Sequence, residues 1–186
     1  APQAESGKQQ GAIGWSGTNA ANPTANHAIY DADRCLVSTS AGSVSYGASL
    51  VSCSGRTLTL NWDTAAGSAY KVAVVAVKGG QYAVCPETQK TSTGTKTTTV
   101  GFTPSAVLFT GISSATAASA VSGANVVIGT TNGTTQQAAW WGHTHNVATP
   151  DTWCAYKTTK TILHYAVGTP TLNAEASATF GSSDLT

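Results

Sequence analysis

The feature that most constrains this chain is a repeat within it. Gln9-Gln10-Gly11-Ala12 resembles Gln136-Gln137-Ala138-Ala139. Carrying that offset of about 127 residues forward without a gap brings further matches, as expected for a diverged repeat. Asn19 meets Asn146, Ala21 meets Ala148, Pro23 meets Pro150, Ala28 meets Ala155, and Leu36 meets Leu163. Leu58-Thr59 meets Leu185-Thr186. A period of this length is one sandwich-sized unit, so the chain is expected to hold about one and a half copies. Residues 1–80 then carry the C-terminal part of a first repeat and residues 97–186 the N-terminal part of a second. Residues 81–96, built from Gly, Gln, Pro, Thr and Lys around Cys85, read as the linker between them. A sheet with missing strands leaves unpaired edges. The polypeptide is therefore expected to continue past both ends, or the two parts are expected to complement each other within or between chains.

The unit that repeats reads as β-structure. No long window places apolar residues at the i, i+3, i+4, i+7 spacing of a helix. Thr57 to Trp62 alternates polar and apolar residues with period two, the mark of a half-buried strand. Ala69 to Val77, AYKVAVVAV, has the Val content and length of a core strand, ended by Lys78-Gly79-Gly80. Thr97 to Phe102 and Ala106 to Phe109 flank a Thr103-Pro104-Ser105 turn. Asn125 to Ile128, Ala138 to Trp141 and Lys160 to Val167 are further strands, and Gly111 to Gly123 is a loop. Asn132-Gly133 is a type I′ turn signal. Many short strands between Gly, Pro and Asn turns predict an all-β chain, an antiparallel β-sandwich of jelly-roll type.

Composition excludes some partners. Charged residues are 9% of the 186, and the net charge is +1. A nucleic-acid partner needs Lys/Arg clusters to displace counterions, and a polybasic membrane footprint needs the same. Neither is present, and no apolar run reaches the roughly 20 residues of a membrane helix. The start at Ala1 and the lack of Met lead us to expect a processed mature chain or a fragment.

Cys35, Cys53, Cys85 and Cys154 fit no CxxC pattern. They can form two disulfides in three pairings, or remain small buried thiols. The repeat partners of Cys35 and Cys53 are the apolar Ile162 and Phe180, which predicts that both point into the first core and can be bridged if their strands are neighbours. A Cys85–Cys154 bridge would tie the linker to the second unit.

Trp140-Trp141-Gly142-His143-Thr144-His145 is the most unusual segment. On a strand, His143 and His145 share a face, and a His-x-His pair can begin a Zn²⁺ site. A third ligand must come from His164 or Asp151, and the repeat has Ser16 and Thr18 at the equivalent positions. Two polar strand residues beside a packed Trp are the expectation, with no metal and no cofactor. Trp140, Trp141 and Trp153 can also offer faces to sugar rings. Adjacent strand residues face opposite sides, so one of Trp140 and Trp141 is expected in the core and the other at an interface. Asp31-Ala32-Asp33 lacks the further oxygens that Ca²⁺ requires and reads as a solvated turn beside Arg34. Asn132-Gly133-Thr134 is a glycosylation sequon that the turn already explains. No GxSxG, HExxH or Walker motif occurs, so the chain does not read as an enzyme.

Val100-Gly101-Phe102-Thr103-Pro104 followed by Ala106 to Phe109 is an opening pattern. Leu58 to Trp62, then Val72 to Lys78 with Gly79-Gly80, is a closing one. Together they resemble a β-sandwich domain found in tandem in structural proteins of tailed bacteriophages. The resemblance implies an extracellular virion component, either a capsid decoration (cement) protein or a piece of tail or fibre. Its partners would be capsid or tail proteins of the same particle and further copies of itself. It implies passive packing and brings no catalytic residues. The rival expectation is a carbohydrate-binding adhesin or receptor-binding tail module using Trp140, Trp141 or Trp153, and the third is a secreted hydrolase.

Overall fold

Every regular element among the described residues is a β-strand. The computed structural model describes residues 10–17, 23, 25–77, 79–112, 120–149, 151–166 and 171–186. The strands are β1 (Ala12–Gly17), β2 (Asn26–Asp31), β3 (Leu36–Ser40), β4 (Ser43–Ser54), β5 (Thr57–Thr64), β6 (Thr98–Thr99) and β7 (Val107–Ile112). They continue with β8 (Val121–Ser122), β9 (Ala124–Thr131), β10 (Gln136–His143), β11 (Thr152–Lys157), β12 (Ile162–Tyr165), β13 (Leu172–Ala176) and β14 (Asp184–Leu185). All pair antiparallel, in sheets ordered β1-β2-β8, β3-β4-β5, β11-β10-β9-β7, β12-β13 and β14-β6. The fold is all-β and sandwich-like.

The main core lies on one face of the four-stranded sheet. Alternation along β9 and β10 turns Val127, Ala138 and Trp140 to that face, where Leu163 of β12 closes on them. Trp153, Ala155 and Tyr165 pack around the cluster. Trp140 is 1% exposed and is the largest fully buried side chain. β12 is held close because Gly129 has no side chain. A Cβ there would run into the backbone carbonyl of Thr161. The first half has a smaller core of Ala28, Ile29, Val37 and Ala48.

The two halves use the same order of strands. Trp15 sits opposite Ala28 in the hairpin β1–β2, and Trp141 sits opposite Cys154 in β10–β11. Those four residues correspond at a shift of 126. Further on, Cys53 sits opposite Leu58, and Phe180 sits opposite Leu185. Those correspond at 127. One residue is therefore gained between the hairpin and the ribbon that follows it. A gapless alignment crosses that point and puts the hairpin side chains on the wrong face, since the side-chain period is two. With the shift of 126, buried Gly14 corresponds to buried Trp140. Gln9, Asn19, Ala21 and Pro150 lie outside the described residues.

Several expectations are corrected. Ala69 to Val77 is not a core strand. It has no strand partner, and Val75 is 90% exposed. Val favours strands only where a neighbouring strand supplies ladder and packing. Of Thr97 to Phe102, only Thr98–Thr99 pairs, because Gly101 takes φ +80° and turns the chain away. Asn132-Gly133 is not a type I′ turn. Only Gly133 has positive φ, and the Asn132 side-chain oxygen accepts from the amides of Thr134 (3.0 Å) and Thr135 (2.7 Å). The predicted loop of Gly111 to Gly123 begins inside β7 and ends past β8, and its residues 113–119 lie outside the described residues.

Candidate functional site

The outer face of the four-stranded sheet is the most distinctive surface. Register and alternation place Leu108 of β7, Ile128 and Thr130 of β9, Gln137, Ala139 and Trp141 of β10, and Cys154 and Tyr156 of β11 on it. No Asp, Glu, Lys or Arg lies among these positions. Leu108 is 66% exposed and Tyr156 is 79% exposed. Ile128, Ala139, Thr130 and Gln137 are also exposed. The face is therefore apolar and neutral over its open part, and its polar members are uncharged.

The other end of this face is covered by the first half of the chain. Trp15 meets Trp141 edge-on, with centroids 5.9 Å apart and planes at 76°. Val126, opposite Trp141, is fully buried. β8, which leads into β9, pairs with β2 through His27 and Ala28. The Gly123 amide donates to the Asn26 carbonyl at 2.8 Å. The side-chain amide of Asn26 donates to the Thr144 carbonyl. This seam ties the two halves together.

The histidines meet at the seam in a way the sequence did not show. β10 ends at His143, so His143 and His145 do not share a strand face. His143 Nδ1 lies 3.0 Å from the Thr152 hydroxyl. The His145 ring turns to β2, with Nδ1 3.1 Å from the Asn26 amide and 3.0 Å from its carbonyl. There it stacks edge-on against His27, centroids 4.8 Å apart. Burial, and then the charge of His145, hold the His27 pKa below its ordinary value. His27 Nδ1 is buried with no hydrogen-bond partner. His164 lies on β12 with its pKa lowered by burial, and Asp151 is exposed. The described residues contain no group of three or more His, Cys, Asp or Glu placed to hold a metal. The gapless repeat hid His27, since it set that residue opposite Cys154.

The tryptophans divide by depth. Trp140 is core, Trp153 packs against it half-buried, and Trp141 is the half-buried partner of Trp15. Two further exposed indoles, Trp15 and Trp62, were not among the expected site residues.

The acidic turn differs from expectation. Asp31 is 0% exposed rather than solvated. Its carboxylate accepts from the Arg34 guanidinium and from the Asp33 amide at 2.9 Å. Arg34 also lies 3.7 Å from Asp63 on β5. Buried charge demands such pairing.

All four cysteine thiols are free. Cys35 is half-buried, donates to the Ala48 carbonyl at 3.3 Å, and has its pKa raised by that burial. Cys53 is exposed, not in the core. It lies five residues past Ala48 along β4, about 17 Å at strand rise. A disulfide needs Cα atoms within about 7 Å, so Cys35 and Cys53 cannot be joined in this fold. Cys85 and Cys154 are exposed. The sequon residue Asn132 is exposed at its turn. Neither a family model, nor a curated protein, nor a solved structure matches this chain.

Proposed function

We propose that this chain is a structural component of a virus particle, a capsid decoration protein that works by packing against its neighbours. The observation that carries this reading is the open, uncharged sheet face of Leu108, Ile128, Ala139 and Tyr156. Contiguous exposed apolar surface on a β-sheet is typical of a protein interaction site. A neutral face suits permanent packing against a lattice, because it brings no charge desolvation to overcome. The resemblance of Val100 to Phe109 and Leu58 to Trp62 to tailed-phage sandwich domains points the same way. The carbohydrate reading draws no support from Trp140 or Trp153, whose rings are taken up by the core cluster.

Immunogold labelling tests the proposal. Antiserum against the chain is applied to particles purified from the organism that encodes it. Regular labelling of capsid shells is the expected result. Label confined to free protein, or a specific signal from the chain on a glycan array, overturns it.

A further inference from the structure

The ribbon β4–β5 and the segment that follows it are each short of a strand. β5 pairs with β4 along one edge and has no strand on the other among the described residues. Both of its faces are open as well, with Leu58 and Trp62 exposed on one and Thr59 and Asn61 on the other. Its counterpart β14 is flanked on both edges. Leu185 faces Phe180 on one side, as Leu58 faces Cys53. On the other side, Leu185 pairs with Thr98 and Asp184 with Thr99 of β6. The Val100 and Gly101 amides both donate to the Ser183 carbonyl, at 2.9 and 3.0 Å. The place that β6 fills beside β14 is therefore open beside Thr57 and Leu58.

A matching strand exists in the sequence. Val72 to Val77 is β-branched, uncharged and extended in pattern, yet it makes no ladder. Val74 is 61% exposed. The segment is held at its start, where Tyr70 stacks on Tyr46 of β4, centroids 5.3 Å apart and planes at 20°. That contact starts the segment against β4, on the side of β5 away from its open edge. Its own edge is thus a poor acceptor, and the same edge of another molecule is a good one.

We infer that the open edge of β5 takes up Val72 to Val77 of a second copy as an antiparallel strand, each copy serving the other. Strand addition draws its affinity from main-chain hydrogen bonds and its register from side chains. The register that sets Val77 opposite Thr57 also sets Lys71 opposite Asp63, an attractive cross-strand pair. This inference does not depend on the particle assignment.

Sedimentation of the full chain, wild type and Val74→Pro, tests it. Proline removes a backbone amide and fixes φ at about −65°, away from strand values, so it disrupts a ladder formed through this segment. The expected result is a concentration-dependent dimer that Val74→Pro loses, with an unchanged melting temperature of the monomer. Hydrogen exchange should show the β5 amides that point away from β4 protected in the dimer and fast in the variant. A wild type that stays monomeric throughout, a variant that dimerises equally well, or outward-pointing β5 amides equally protected in the monomer overturns the inference.

Discussion

The hairpins β1–β2 and β10–β11 share a pairing pattern but fill it oppositely. Gly14 faces inward in the first and Trp140 in the corresponding place of the second. Without a side chain at Gly14, β1 sits against β3 so closely that a Cβ would come 2.6 Å from the Val37 carbonyl oxygen. The indole of Trp140 instead fills the corresponding place and lies over Gly142, which leaves it room, and the close backbone approach of that half falls at Gly129 of β9. Equivalent positions thus carry a close backbone approach in one half and the largest core side chain in the other. Backbone pairing is the part that survives divergence, while each core is filled by different side chains, as close packing requires.

Breaking the large core should hurt most. Trp140→Ala is expected to cost about 4 kcal/mol of stability, the usual range for a buried large aromatic. Chemical denaturation followed by circular dichroism measures it. Filling the small core should hurt less. Gly14→Ala is expected to cost about 2 kcal/mol, because the strand β1 must move off backbone and not off a flexible side chain. If Gly14→Ala proved neutral in the same assay, the tight spacing of the first half would be refuted.

Acid sharpens the comparison at the seam. His27 has a lowered pKa in the folded chain, so the unfolded chain binds the proton more readily. Stability is then full above the ordinary histidine value of about 6.5 and falls as pH drops through it toward the folded value. Melting temperature against pH should show this loss, and His27→Gln should reduce it, leaving the part contributed by His164, whose pKa burial also lowers. The smallest effect belongs to the open face. Tyr156→Ser should change stability by no more than about 0.5 kcal/mol, since the ring is mostly in water. On the proposed capsid role, the same variant should weaken attachment to particles, read by co-sedimentation.

Much of this fold was legible in local pattern. Ala106 to Phe109 and Ala138 to Trp141 are short apolar runs bounded by turns, and Val107 to Phe109 and Ala138 to Trp141 are found in β7 and β10. Ala69 to Val77 carries an equally good pattern, and it failed because a strand also needs an edge to join. The site was less legible, for reasons of distance. His27 and His145 meet only once β2 reaches the end of β10, and no spacing in the sequence announces that. Asp31 is buried because Arg34 folds back on it, a matter of packing that composition does not reveal. The single-residue difference between the hairpin shift and the ribbon shift is invisible to a gapless comparison, yet it decides which side chains face inward.

The edge-on contact of Trp15 with Trp141 gives the molecule a built-in reporter. Two indoles this close exchange excitation energy and give a coupled circular-dichroism signal that neither gives alone. One indole belongs to each half of the chain. The docking of one half on the other can thus be followed optically, apart from the unfolding of either core and with no label added.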